Sequence, residues 1–453
     1  MRPCTLVALI AFVLMVGTMN APLVESQERM GLQRAIDIAL ENNYSILTAQ
    51  EAIQGADHQR KSALADFFPK LRAESSFTSL DQVPTVNQPA TPAIPVFQNP
   101  ANPVAVPNPA QPIGFIPPSP ASTRTLGHRD SWTARGSATQ PLFTGGALWN
   151  RYQQAKLGVE STQTGLGRVR QDLSLQVVQA YFDVLNFIEQ KKVADKAVEL
   201  LENQRDVSQE FFNVGMIPKN DLLRTEVQLA QRVRQQTIAT NAIEAAKAQF
   251  NLVLQRDVQT PVELEDILSY EAAPFDLEGS IREAHERRLE IREAALRVAS
   301  DERQVNIVAS SFFPQVQLSF NAFKSEGTSS SSGQSEGWSV VAGANWTFWE
   351  WGKTREDVAA VQSQVRRDRY AQSLVKDQIA VEVKNAYLAL ITTERNIATT
   401  KKAIEQAEEA FRMNQERYRE QVGTITEVLD SETQLVQAQH VAGVVGHVGP
   451  PRR

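Results

Sequence analysis

Sulfur chemistry is almost absent from this chain. Its 453 residues hold one cysteine, Cys4, at the extreme N-terminus. Neither disulfide staples nor a reactive thiol is therefore available to the rest of the protein. Long hydrophobic runs are also missing. No segment offers the roughly 18 uninterrupted apolar residues of a membrane-spanning helix, so a membrane role would have to rest on strands. A basic surface is lacking as well: the formal net charge is −6, which argues against nucleic acid as a partner. The acidic residues are too dispersed to form a tail. The five histidines, His58, His128, His285, His440 and His447, show no ligand spacing. No phosphate-cradling glycine loop or nucleophile elbow accompanies them. The chain thus reads as no enzyme, with no metal site and no cofactor.

What is present begins with Arg2, an apolar run from Thr5 to Gly17, and a small-residue site ending at Ser26. Residues 1–26 are expected to be a cleaved secretory signal. About a dozen apolar residues are too few to cross about 30 Å of hydrocarbon.

The remainder repeats itself. Displacement by 245 positions brings Leu32 onto Leu277, Ile36 onto Ile281 and Ala39 onto Ala284, and then Phe67-Phe68-Pro69 onto Phe312-Phe313-Pro314. Further along the displacement is 206, matching Trp132 with Trp338, Gly146 with Gly352, Ala180-Tyr181 with Ala386-Tyr387, and Glu226 with Glu432. The pattern predicts a tandem duplication: a first repeat over 27–254, a linker over 255–276 and a second repeat over 277–453. The first repeat carries 39 extra residues between its strands, and 81–120 contains twelve of the 22 prolines. That stretch is expected to be an extended, polyproline-like external loop unable to join a sheet, and dispensable for function.

Each copy reads helix, strand, loop, strand, very long helix, tip, helix. Leu166, Val169, Leu173, Val177, Ala180, Val184 and Phe187 step by three and four, as do Ile379, Val383, Ala386, Leu390 and Ile397. No proline interrupts 147–212, so the first long helix is expected to run about 100 Å at 1.5 Å per residue. Tips are expected near 213–218 and 419–425, where glycine with proline or threonine ends one helix and starts the next. Strands are expected over about 70–80, 131–142, 315–323 and 338–348. In the last of these Trp338, Val340, Ala342, Ala344, Trp346 and Phe348 alternate with smaller and polar residues, as a membrane β-strand requires. Arg72, Glu74 and Arg135 make the first copy a weaker match. Four strands cannot close a barrel, and lipid tolerates no open edge. Membrane insertion therefore demands an oligomer, and three copies would give twelve strands with room for a passage.

The motifs FFPKL and FFPQV, QPLFTGG and FWEWGK, VVQAYFDVL and EVKNAYLAL, and RYREQVGTITEVLDSETQL, in this duplicated order, resemble the TolC-like outer-membrane efflux proteins over essentially the whole mature chain. The resemblance implies a mainly α protein with a membrane β-barrel: a homotrimer whose twelve-stranded barrel continues into a long α-helical periplasmic tunnel. It further implies an export channel in the Gram-negative outer membrane, serving a tripartite efflux pump or type I secretion system. The implied partners are a periplasmic adaptor, an inner-membrane transporter and outer-membrane lipid. By the same resemblance Glu427, Asp430, Asp221 and Tyr418 mark the periplasmic gate. The family's gate arginine is replaced by Gly423, with Arg224, Arg417 and Arg419 as candidate substitutes. The apolar, exposed tips, Val214, Gly215, Met216 and Ile217 with Val422, Gly423 and Thr424, are the expected adaptor-docking sites. Two departures stand out. The last helix is expected to dissolve after Gln439, and Gln421 occupies the position of Gly215, so the second turn is expected to differ from the first. The alternative is a periplasmic coiled-coil scaffold with a soluble sheet and no channel.

Overall fold

The computed structural model describes residues 29–83, 85–96, 114–125, 128–267, 275–327 and 336–445; the expected secretory segment lies outside them. The chain forms two compact units. One gathers the chain up to residue 50, residues 166–288 and everything from 377 onward; the other gathers 51–165 and 289–376.

The second unit is built around a four-stranded antiparallel sheet in the order β1 (Lys70–Ser79), β6 (Asp130–Phe143), β7 (Gln315–Glu326), β8 (Glu336–Asn345). Proline sets both helix-to-strand steps. Helix α2 (Tyr44–Ala65) stops short of Pro69, and α6 (Leu289–Ala309), with a 3-10 turn at Ser310–Phe312, stops short of Pro314. A proline ring cannot continue a helix and forces its predecessor to extend, as Phe313 does at φ −107°, ψ 151°. The strands return to helix through left-handed turns at Gly145 (φ 60°) and Gly146 (φ 87°), and at Trp351 (φ 55°) and Gly352 (φ 85°). Glycine is required at 145, where a Cβ would lie 2.6 Å from the Ser310 carbonyl oxygen.

The register sorts the strand side chains into two faces. Rows such as Leu71–Ala138–Phe320–Val340 and Ala73–Gly136–Ala322–Trp338 share one face. Rows such as Arg72–Ser137–Asn321–Ser339 and Glu74–Arg135–Phe323–Gly337 share the other, and the first face also carries Lys324 and Glu336 beyond Ala322 and Trp338. The charges that weaken the first copy as a membrane strand thus all fall on the polar face, where Arg72 and Glu74 pair at 2.5 Å. Phe320 and Trp338 stack at 6.3 Å on the apolar one. Both faces are open to solvent in the single chain: all ten residues of β1 are exposed. β1 and β8, ten residues each, are the free edges. β8 ends at Asn345, short of Trp346 and Phe348.

The proline-rich segment corrects its expectation. It extends the β1–β6 hairpin through β2 (Thr85–Gln88) paired with β5 (Ser122–Thr125), a Thr91–Ser119 bridge, and β3 (Ile94–Val96) paired with β4 (Gly114–Ile116). Each strand of a two-stranded ribbon has one edge with no ladder to serve. Proline is tolerated on that edge, so Pro95 can pair with Phe115 without breaking the ribbon. Residues 97–113 of the segment lie outside the described ones.

The long helices α3 (Ala147–Asn213) and α7 (Lys353–Arg419), of 67 residues each, begin in the second unit and give the first unit their parts from 166 and 377 onward, returned by α4 (Lys219–Val253) and α8 (Ile425–Val445). α8 continues six residues past Gln439, which corrects the expected dissolution there. The core of this unit explains VVQAYFDVL: Val177, Ala180, Tyr181, Val184 and Leu185 pack with Ala35 and Ala39 of α1 (Leu32–Asn42), and with Phe250 and Val262. The Tyr181 hydroxyl lies 2.7 Å from the Glu265 carbonyl oxygen and 3.0 Å from that of Met30; burial pushes its pKa up to about 12. The matching stretch EVKNAYLAL is less covered among the described residues: Ala386 and Leu388 are exposed and Tyr387 is half-buried, where Ala180 and Tyr181 are buried, and α5 (Leu277–Arg287) buries no residue.

Candidate functional site

The candidate site lies in the first unit, where α3 and α7 reach their tips. At the first tip Gly215 is left-handed (φ 77°), and the Met216 amide donates to the Phe211 carbonyl at 2.8 Å. At the second, Gln421 adopts φ 61°, and the Val422 amide donates to the Arg417 carbonyl at 2.9 Å. Both are Schellman closures, so the expectation that the second turn differs from the first is corrected. Glutamine accepts the left-handed conformation at a cost of about 1 kcal/mol. Replacing Gln421 with glycine is therefore expected to stabilise the tip by about 0.5–1 kcal/mol, read as a higher melting temperature. A lower one would mean that the Gln421 side chain makes contacts worth more than this strain.

Val214 and Val422 stand 70% and 69% exposed, and Met216 is exposed as well. Gly423 has less room, because a Cβ there would lie 3.1 Å from that of Arg417 and 3.2 Å from Glu427 Oε2.

The four carboxylate and phenol residues have different surroundings. Glu427 is exposed, yet its Oε2 accepts from the Thr424 amide at 3.2 Å, and its own amide donates to Thr424 Oγ1 at 3.4 Å. This reciprocal capping box starts α8. Asp430 is exposed and borders a groove of about 420 Å³ between α4 and α8, together with Leu223, Arg224, Val227 and Leu429. Arg224 donates across that groove to Thr426 Oγ1 at 3.2 Å, whereas Arg417 turns back to its own tip at the Val422 carbonyl, 3.4 Å away. Asp221 sits in the first turn of α4 behind Pro218, where its charge suits the helix N-terminus. Tyr418 is only 4% exposed. Its ring lies 5.7 Å from that of Phe211, and its hydroxyl is 3.3 Å from Ser208 Oγ in a hydrogen bond. Burial pushes its pKa up, the hydrogen bond with Ser208 opposes this, and the charge of Asp221 raises it further.

Sequence reasoning missed the polar links behind the tips. Glu432 on α8 is fully buried and takes a two-point grip from Arg232 of α4, Nε to Oε1 at 3.0 Å and Nη2 to Oε2 at 2.8 Å. Ser208, Thr225 and Ser431 are buried with it. The 206-residue displacement aligned Glu432 with Glu226, which is exposed. Nothing in the pattern separates the two.

The model of the outer membrane efflux protein family matches residues 35–254 and 280–441. The chain belongs to that family. Membership places it in the outer membrane of a Gram-negative cell, reaching into the periplasm. Among curated relatives, Protein CyaE of Bordetella pertussis is 22% identical over 302 residues, 66% of this chain and 64% of its own length. Outer membrane efflux protein BepC of Brucella suis is 23% identical over 328 residues, 71% of this chain and 70% of its own. Among solved structures, the outer membrane protein VceC of Vibrio cholerae aligns with TM-score 0.69 at 15% identity, covering 92% of both chains. CusC aligns with TM-score 0.70 at 14% identity, over 92% of this chain and 90% of its own. At such identities the structural likeness speaks for the fold. No described helix is long and apolar enough to cross a membrane.

Proposed function

We propose that this efflux-family protein is a passive exit duct: a homotrimer whose three four-stranded sheets close a twelve-stranded barrel, continued by the helical hairpins as a periplasmic tunnel. The observation that carries the reading is the sheet itself. It has one face that is apolar from the Leu71–Val340 row to the Ala73–Trp338 row, a second face holding Arg72, Glu74 and Arg135, and two free edges of equal length. Lipid against the first face, water against the second and a neighbour at each edge satisfy all three conditions. The bare EVKNAYLAL face of α7 supports the same assembly, since a second copy can cover what α1 covers at VVQAYFDVL.

In this reading the two sequence halves are structural repeats, each supplying a strand pair and a helical hairpin. A periplasmic adaptor docks on the tips at Val214, Gly215, Met216 and Ile217 and at Val422, Gly423 and Thr424, and an inner-membrane transporter supplies the energy. Asp430, Glu427, Asp221 and Tyr418 form the entrance. Glu427 is partly committed to capping α8, so Asp430 carries more of the field that attracts cations.

Crosslinking of membrane extracts is expected to give a trimer. Purified trimer in planar bilayers should be cation-selective and blocked by multivalent cations. Asp430→Ala should weaken both properties more than Glu427→Gln, and Asp430→Ala with Glu427→Ala should weaken them most. A monomer in detergent would sink the duct, whereas a trimer with unchanged selectivity in the double variant would move the gate elsewhere.

A further inference from the structure

The sheet of the second unit consists of one hairpin made twice. β1 meets β6 from Lys70 with Thr139 to Ser79 with Asp130, and β7 meets β8 from Gln315 with Asn345 to Lys324 with Glu336. Displacing β1 by 245 and β6 by 206 turns the first set of pairs into the second, residue for residue. The β6–β7 ladder joins the two hairpins, and it also completes β6. Beyond Thr139, where β1 has run out, β7 still holds the end of β6, with Gln140 opposite Leu318, Pro141 opposite Gln317 and, past a bulge, Phe143 opposite Val316. β8 is the counterpart of β6, yet it stops at Asn345, where β7 has run out. Trp346, Phe348 and Trp349 follow it exposed in the single chain.

The duplication identifies the neighbour that β8 lacks. The counterpart of β7 is β1, whose outer edge is also free. Within one chain β1 and β8 lie at opposite ends of the sheet, so the two edges can meet only between copies. Carried through the same displacements, the β6–β7 register sets Gly343 against Ser76 of the partner subunit and Ala342 against Phe77 of the partner subunit. Further on it sets Trp346 against Ala73 of the partner subunit and, past the bulge, Trp349 against Leu71 of the partner subunit. The faces agree. Leu71 and Ala73 stand on the same side of the sheet as Val340 and Trp338, and this register joins that side of one copy to the same side of the next. A slip of one residue would bring Arg72 into the row of Trp346.

We propose that β8 pairs antiparallel with β1 of the partner subunit in this register, and that the pairing extends β8 from Asn345 to Trp349. The proposal rests on the homotrimer reading and names the residues that close it. Each open edge then finds its hydrogen-bonding partner, as lipid requires, and the large side chains Trp346 and Trp349 gain a strand beside them. The equivalence ends at the turn. Gly145 comes so close to the Ser310 carbonyl oxygen that a Cβ would lie 2.6 Å from it. The counterpart of Gly145 is Trp351, left-handed at φ 55°, and its side chain cannot repeat that approach on Ala65 of the partner subunit. The new ladder therefore stops by Trp349.

The test is oxidative crosslinking of paired cysteines in outer-membrane fractions; Cys4, the only native cysteine, lies in the expected secretory segment. The in-register pairs are Gly343→Cys with Ser76→Cys, and Ala342→Cys with Phe77→Cys. Successive pairs of an antiparallel ladder alternate between close and wide spacing, so one of the two falls at the close kind. Slipped pairs, Gly343→Cys with Glu74→Cys and Ala342→Cys with Ser75→Cys, serve as comparison, because diagonal neighbours lie about 7–8 Å apart. At least one in-register pair should give covalent dimer and trimer that reduction returns to monomer, and the slipped pairs should give little. Stronger linkage from the slipped pairs, or none from any pair, in a protein that still runs as a trimer in detergent overturns the register and leaves the exit duct standing. A wild-type protein that is monomeric in detergent overturns both. Should the cysteine variants fail to assemble, hydrogen exchange of the wild-type trimer decides: backbone amides within 346–349 slowed to the pace of the interior strand β6 support the extended ladder, and exchange at the pace of an open loop overturns it.

Discussion

Glu432→Ala is expected to cost the tip region about 3–5 kcal/mol, toward the lower end because Arg232 keeps some contact with water. Glu432 is fully buried, and its side chain binds α8 to α4 through two hydrogen bonds of 3.0 and 2.8 Å to one guanidinium. Removing the carboxylate strands that cation beside the buried Ser431 and the Val428–Leu435 cluster. Removing both charges should be far milder. Arg232→Met combined with Glu432→Leu is expected to recover most of the loss, since a packed apolar pair avoids the desolvation that a lone charge suffers. Thermal unfolding, with limited proteolysis of the α4–α8 tip as a local readout, separates the cases. An alanine variant that melts with the wild type would show that the ion pair only balances its own desolvation.

The elements were legible where a local rule is strong. Phe-Phe-Pro stops α2 and α6 because proline cannot continue a helix, and the three-and-four stepping of Val177, Ala180 and Val184 marks a face that the structure buries. Features that depend on partners distant in sequence were not legible. β6 pairs with β7 across more than 170 positions, as Ser137 with Asn321 illustrates, and the β1–β6 register, Glu74 opposite Arg135, is what puts Arg72, Glu74 and Arg135 on one face. Proline content suggested that 81–120 could not pair, but it could not reveal that a two-stranded ribbon leaves Pro95 a free edge. At the tips a missing glycine suggested a different turn, while the hydrogen bonds of the Schellman closure held Gln421 in the left-handed region.

Arginine introduced at neighbouring positions of β7 is expected to have opposite consequences. Ala322 shares the apolar face with Gly136 and Trp338, whereas Asn321 shares the polar face with Ser137 and Ser339. The two residues differ by one step along the strand and hence only in the face they occupy. If the apolar face meets lipid, Ala322→Arg puts a charge into hydrocarbon at a cost of about 2–4 kcal/mol near the midplane, repeated in each subunit of a trimer. That is expected to abolish the heat-modifiable trimer in outer-membrane fractions. Asn321→Arg should assemble normally, because its side chain enters water. It should also shift the single-channel reversal potential toward anions, since three added cations would ring the passage. A soluble sheet would also object to a charge on whichever face it buries, so loss of assembly in the first variant is only half of the test. The other half is electrical: Asn321 can alter ion selectivity only if its face lines a conducting lumen. Equal assembly of both variants, or an Asn321→Arg trimer with wild-type selectivity, would remove the sheet from the conduction path and with it the barrel.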